Sequence, residues 1–284
     1  MADGARVDTL LVRIAGRLGV EVVAPLAGGE FGALHVRDDN DRNLVLKAMP
    51  STALAERYAR GAKMAERLRS LGYPAPYYAG TGVELGASWS LQERLPGAVP
   101  QLLTEAHALR LIELAKMHAG AAGAGSPGRE DKWPSSTRAR LAQLEARDET
   151  RTLGAELRAV FRDLAHVELL HDGIVHGDFH HRNFLADGDR ITGVFDWDFA
   201  NTGDWRFDLV TLAFWSAMPA GLIPPAVSNI IISRTRELCP PDVLALLAAR
   251  RALLQLEFDE RVHPERLAGL ISGIEANVAP WWRA

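Results

Sequence analysis

The side chains best suited to chemistry lie in His176-Gly177-Asp178-Phe179-His180-His181-Arg182-Asn183 and in Phe195-Asp196-Trp197-Asp198. A carboxylate, Asp178, is followed five residues on by an amide oxygen, Asn183, and thirteen beyond that by a second carboxylate, Asp196. Three such oxygens meet around one centre if the chain between the last two folds back as a short hairpin. That set suits phosphoryl transfer, in which negative charge spreads over the oxygens of the moving group and catalysis is positioning plus electrostatics. Mg²⁺ takes few protein oxygens and keeps its waters, so Asn183 and Asp196 are the expected metal ligands. Asp178 is then the expected acceptor for the proton of a substrate hydroxyl. An aspartate after a glycine is, taken alone, an ordinary turn former; it is the conjunction that carries the reading.

The elements that must position these groups can be read from the flanking patterns. Asp187-Gly188-Asp189 between two apolar runs is a hairpin signal, and its two arms would bring Asn183 and Asp196 to the same end of the ribbon. Near the start, residues 20–25, 33–37 and 44–49 read as three antiparallel strands with a polar turn at 38–41. Between the first two lies Gly28-Gly29-Glu30-Phe31-Gly32, where Gly29 and Gly32 would let backbone amides approach a phosphate. Lys47 shares a strand face with Val45 and Met49, and an ammonium among apolar neighbours needs an anion. A helix follows over 51–71, with Leu54, Tyr58, Gly61, Ala65 and Leu68 on one stripe. Tyr73-Pro74-Ala75-Pro76 stops it, and a strand at 88–95 comes next. Beyond Gly97 the pattern is mainly helical, over 104–118, 136–148 and 153–170, with a loop at 120–136. Asp204 and Asp208 fall on one face of a helix start, where capping is the default duty, and His118 reads as a core histidine.

These motifs resemble the aminoglycoside phosphotransferase and choline kinase group of small-molecule kinases, distant relatives of protein kinases. The shared signature is His176-Gly177-Asp178, His180 and Asn183, then Asp196-Trp197-Asp198, Gly203-Asp204 and Asp208-Leu209. The resemblance implies a bilobal α+β fold of protein-kinase type, with an antiparallel-sheet lobe over 1–96, a mainly helical lobe over 97–284, and MgATP between them. It also implies that Lys47 touches the nucleotide phosphates, that Gln92, Glu93 and Leu95 lie in the crossover that reads the base, and that His176 and Asp208 support the catalytic loop. ATP, or another nucleoside triphosphate, and Mg²⁺ are the implied cofactors. The implied reaction is transfer of the γ-phosphate to a hydroxyl of an aminoglycoside-like or other antibiotic. A metabolic kinase acting on choline, a sugar or an amino-acid-like alcohol is the alternative.

Asp198 would face the metal or a substrate amine, and Glu257, Asp259 and Glu260 would offer carboxylates to the substrate. Protein kinases also place a glutamate opposite the lysine, but residues 61–63 hold none; Glu66, flanking the apolar stripe, is a better candidate than Glu56 on the opposite face, and the role is left unassigned. His181-Arg182 stand where small or cyclic residues are usual, adding positive charge beside the loop, and Trp205 stands where proline is common.

With 284 residues, 48% hydrophobic and 24% charged, the chain can bury a large core. A formal charge of −4 gives no general basic field for nucleic acid, and no apolar run is long enough to span a membrane. The expected partner is a hydroxylated small molecule, the expected location cytoplasmic, and the oligomeric state is left open. One cysteine, Cys239, allows no internal disulfide. Two other classes compete. A zinc hydrolase would use the dense histidines of 176–181, and a catalytically silent nucleotide-binding module would need none of the acid set.

Overall fold

A computed structural model describes residues 2–26, 32–123, 133–218 and 222–283. In chain order these form α1 (Ala2–Leu18), β1 (Glu21–Leu26), β2 (Ala33–Arg37), β3 (Asn43–Met49), α2 (Ala55–Arg69), β4 (Tyr78–Glu84) and β5 (Ala87–Glu93). Then come α3 (Glu105–Lys116), α4 (Trp133–Glu145), α5 (Arg151–Asp163), β6 (Gly173–Val175), β7 (Phe184–Asp187), β8 (Arg190–Val194) and β9 (Asn201–Gly203). Four helices finish the chain: α6 (Arg206–Ala217), α7 (Pro225–Leu238), α8 (Pro241–Val262) and α9 (Leu267–Asn277).

Two compact units result, Met1–Val99 with Asn183–Asn201, and Pro100–Arg182 with Thr202–Ala284. The boundary expected near residue 96 is therefore not the whole of the division, because the β7–β8 ribbon counts with the first unit. The physical link is local to that unit. Ala98 exchanges backbone hydrogen bonds with Ala186 at 3.0 and 2.8 Å, and Thr192 Oγ1 donates to the Pro96 carbonyl at 2.5 Å. Gly97 makes this close approach possible: it has φ +98°, and a Cβ there would lie 2.5 Å from Thr192 Oγ1.

In the first unit an antiparallel sheet of order β1-β2-β3-β5-β4 buries Leu34, Val36, Leu44, Leu46, Ala48, Ala87 and Leu91 against Leu11, Ile14 and Ala15 of α1. The core face of β3 is thus Leu44-Leu46-Ala48, and Lys47 lies with Val45 and Met49 on the other, half-buried face. Two elements were not foreseen. Helix α1 carries its signal in the Leu11-Ile14-Leu18 spacing. Strand β4 is disguised by Gly80 and Gly82, whose missing side chains leave room for the Trp89 ring: a Cβ at either would stand 3.1 Å from it. After β3, the Ser51 side chain accepts the Ala53 amide, and the following helix α2 buries Tyr58, Gly61, Ala65 and Leu68, the stripe read from sequence.

The second unit is built around α6 and α8, whose apolar residues are almost all buried. Helix α3 begins with a capping box between Thr104 and His107. Short β6, paired with β9, delivers His176; Gly173 permits the pairing, since a Cβ there would meet the Gly203 carbonyl at 2.8 Å. Among the described residues no helix is long and apolar enough to cross a membrane.

Candidate active site

In the first unit the hairpin forms as the Asp-Gly-Asp turn requires. Phe184 pairs with Val194 across β7 and β8, and the Asn183 carbonyl accepts the Phe195 amide at 3.0 Å. Asn183 and Asp196 therefore lie at the same end of the ribbon, which is the local geometry that spacing suggested. Asp196 sits there in the left-handed region, φ 68° and ψ 52°, a conformation that costs free energy for any non-glycine residue and that concentrates at functional sites.

Lys47 Nζ is 2.6 Å from Asp196 Oδ1 and 2.8 Å from Asp198 Oδ2. Burial works against the ammonium, but the two carboxylates outweigh it and raise the lysine far above its ordinary range. Asp198 moves the other way from most paired acids. Its burial, with the like charge of Asp196, pushes it up to about 6 despite Lys47. The anion that Lys47 needs is thus a pair of aspartates, and neither Glu56 nor Glu66 is among its partners. At position 61 there is no room for a side chain. A Cβ on Gly61 would fall 2.3 Å from the Trp197 carbonyl oxygen, so α2 presses directly on the 196–200 segment and Asp198 supplies the second carboxylate.

Two arginines of α2 complete that clamp, Arg57 Nε donating to the Asp198 carbonyl at 2.6 Å and Arg60 Nε to the Ala200 carbonyl at 3.0 Å. Trp197 is fully buried, its indole N–H donating to the Val194 carbonyl at 2.9 Å. Arg57 and Arg60 are positioning residues that sequence reading missed, and Gly61, read there only as part of the helical stripe, joins them.

Of the expected nucleotide-contacting positions, Gly29 lies outside the described residues. Gly32 immediately precedes β2 with φ +71°, a conformation that glycine adopts without strain. Gln92 and Glu93 belong to the β5 ladder, opposite Val45 and Leu44. The amides of Glu93 and Arg94 are committed to the carbonyls of Tyr77 and Asn43 at 2.7 and 3.0 Å. Leu95 follows the last of these, its side chain lying against Gly193, where a Cβ would come within 2.5 Å.

In the second unit the backbone at residues 176–177 hangs on one carboxylate. Asp208, wholly buried, accepts the amides of His176 at 2.7 Å and Gly177 at 3.0 Å and lies 2.9 Å from His118 Nδ1. Helix capping falls to Asp204, which accepts the Arg206 amide at 3.0 Å and the Leu170 amide at 3.0 Å. His176 Nδ1 accepts the Asp178 amide at 3.3 Å. Asp178 itself meets His180 Nε2 at 3.2 Å. Burial opposes its ionisation, yet the charges of His180, Arg251 and His176 and the His180 hydrogen bond hold it well below the usual carboxylate range.

The three carboxylates expected to receive a substrate are otherwise engaged. Glu257 pairs with Arg140 at 2.8 Å and Glu260 with Arg147 at 2.7 Å. Asp259 is buried and accepts Gln255 Nε2 at 2.9 Å.

Asn183 and Asp196 offer one amide and one carboxylate oxygen, a donor set that suits a hard cation retaining its waters. Among the described residues no group of three or more His, Cys, Asp or Glu is placed to hold a metal ion, so the histidines of 176–181 do not form the ligand cage a zinc hydrolase needs.

Residues 21–228 match a protein-family profile described as the phosphotransferase enzyme family. The fold is similar to that of a thermostable mutant of aminoglycoside phosphotransferase APH(4)-Ia, at 20% identity, covering 94% of this chain and 98% of that one, TM-score 0.72. It is also similar to an aminoglycoside-3'-phosphotransferase of type VIII (20% identity, 85% and 96% covered, TM-score 0.58) and to the macrolide 2'-phosphotransferase MphH from Brachybacterium faecium (19%, 96% and 98%, TM-score 0.58). No curated protein matches. The α+β, protein-kinase-like fold class expected from the motifs is the one these structures share.

Proposed function

We propose, on the premise that this chain belongs to the phosphotransferase enzyme family and is a small-molecule kinase, that it moves the γ-phosphate of ATP to a hydroxyl of a small molecule. The observation that carries this reading is the meeting of Lys47 with Asp196 at 2.6 Å, across 149 residues of sequence, at the ribbon end that also bears Asn183. A lysine and a carboxylate that serve one triphosphate have to be brought together in this way.

In this mechanism the Lys47 ammonium binds phosphate oxygens, with Asp198 and the α2 clamp holding it in place. Asn183 and Asp196 would hold Mg²⁺, which when bound neutralises charge on the β- and γ-oxygens. Gly32 would offer its backbone amide to phosphate, the role expected of Gly29 as well, and Leu95 would offer backbone to the base, beyond the ladder positions of Gln92 and Glu93. Asp178 accepts the hydrogen bond of the acceptor hydroxyl. Its depressed pKa makes it a weak base, suited to orienting the hydroxyl and to taking the proton late, as a loose transition state asks. Asp208 and His176 fix the loop that carries it.

Antibiotics are the acceptor class we favour, because the similar folds include aminoglycoside and macrolide phosphotransferases, one of them seen with ADP and hygromycin B. Screening hydroxylated antibiotics and metabolites for ATP-dependent phosphate incorporation tests the reading. It expects incorporation that needs Mg²⁺. ATP that neither binds nor turns over with any acceptor would instead favour a silent relative.

A further inference from the structure

Beside Asp178 the second unit holds buried hydrogen-bonding groups that no other described residue satisfies. Trp215 Nε1 of α6, Arg251 Nε of α8 and both ring nitrogens of His181 are buried without a hydrogen-bond partner. Arg251 and His181 are only 7% and 6% exposed. The groups are contiguous: the His180 ring lies 5.8 Å from that of His181 and 5.6 Å from that of Trp215. The Arg251 guanidinium stands 5.8 Å from the Trp215 ring and 5.7 Å from that of Phe214. Native proteins rarely leave buried polar groups unmatched, so each asks for an explanation.

The chemistry of the cluster is one-sided. Indole and guanidinium nitrogens only donate. The His181 ring can donate through a ring N–H. An ammonium group would find little here. Glu257 and Glu260 are held by Arg140 and Arg147, and Asp259 is tied through Gln255 to Arg251 itself.

We infer that Trp215, Arg251 and His181 form the acceptor subsite of the proposed kinase, and that it binds a carbonyl or carboxylate oxygen of the hydroxylated substrate rather than an ammonium group. The assignment rests on the phosphotransfer reading, since it places the substrate beside Asp178. Carbonyl and carboxylate share the accepting oxygen and differ in charge, so a series separates them.

The experiment uses the full chain and sets of hydroxy compounds matched except for the group at one carbon, a carboxylate, a carboxamide or an ammonium, such as glucuronate, glucuronamide and 6-amino-6-deoxyglucose. Binding by saturation-transfer NMR and ATP-dependent phosphate incorporation are read together. Carboxylate or carboxamide members are expected to exceed their ammonium counterparts at least tenfold in kcat/KM, with a carboxylate lead marking charge and parity marking the oxygen alone. Trp215→Phe keeps an aromatic ring and deletes the donor; it should raise KM for the favoured members by roughly threefold to tenfold while moving KM for ammonium members less. Arg251→Lys should do the same more strongly, and Trp215→Phe decides if that variant does not fold.

Preference for ammonium members, binding of no oxygen-bearing member, or an unmoved KM in Trp215→Phe overturns the subsite. ATP binding and slow ATP hydrolysis on the same preparations report separately on the phosphotransfer reading. ATP turnover together with an ammonium preference sinks only the subsite, and absence of ATP binding sinks the parent reading.

Discussion

A lone aspartate and an aspartate pair in this chain are held in opposite ways. Asp208 in the second unit is wholly buried and bonded to two backbone amides and a histidine ring. Asp196 and Asp198 in the first unit share one ammonium, remain 33% and 14% exposed, and one of them strains its backbone. A carboxylate satisfied by main-chain donors locks a loop, because every bond it makes has one geometry. Two carboxylates around a single lysine leave a surplus of negative charge in a fixed place, which suits a site that a cation is to enter.

The comparison breaks most easily at Asp208. Asp208→Ala strands the amides of His176 and Gly177 and should cost about 3–5 kcal/mol, read as a lower midpoint in chemical denaturation. A loss under about 1 kcal/mol would mean that the loop is held elsewhere. Gly61→Ala comes next. Its Cβ meets the Trp197 carbonyl, and the forced shift should cost about 1–3 kcal/mol and slow turnover. Gly269→Ala, on an exposed helical position with nothing within 4 Å, should instead stabilise by up to about 1 kcal/mol.

Asp196→Asn sharpens the contrast. Lys47 keeps Asp198 and Asp196 is a third exposed, so stability should fall by less than in Asp208→Ala, while phosphate transfer falls by orders of magnitude. In the same variant Asp198, raised to about 6 in the native chain, should titrate at lower pH once the neighbouring like charge is gone, a shift that carboxyl NMR can follow. An upward shift would contradict the shared-charge account. The smallest effect expected is at Cys239, where burial pushes the thiol up to about 12. Alkylation at pH 8 should be slow in the native protein and fast after denaturation.

Much of the site was legible because its signals are local. The Asp-Gly-Asp turn sets the ribbon register, and that register alone brings Asn183 and Asp196 to one end. Lys47 was legible as a lysine in want of an anion, but not the identity of the anion: Asp196 and Asp198 arrive from far along the chain, by way of the contact that Gly61 permits. Helix α1 escaped because its apolar stripe is short, and β4 because Gly80 and Gly82 replace the alternating side chains that mark a strand. Glu257, Asp259 and Glu260 form a cluster in sequence, yet on α8 they point to different neighbours, and Arg140 and Arg147 reach two of them from a distant segment. Sequence proximity could not have told a free carboxylate from a neutralised one.

The most direct test of the central claim compares Asp178→Asn with the unaltered chain in two measurements on one preparation, MgATP affinity and transfer of labelled γ-phosphate to an accepted substrate. With Asp178 as the group that orients the hydroxyl, affinity should be nearly unchanged and transfer should fall by roughly 10²–10⁴-fold. Transfer at the full rate in Asp178→Asn would contradict the account.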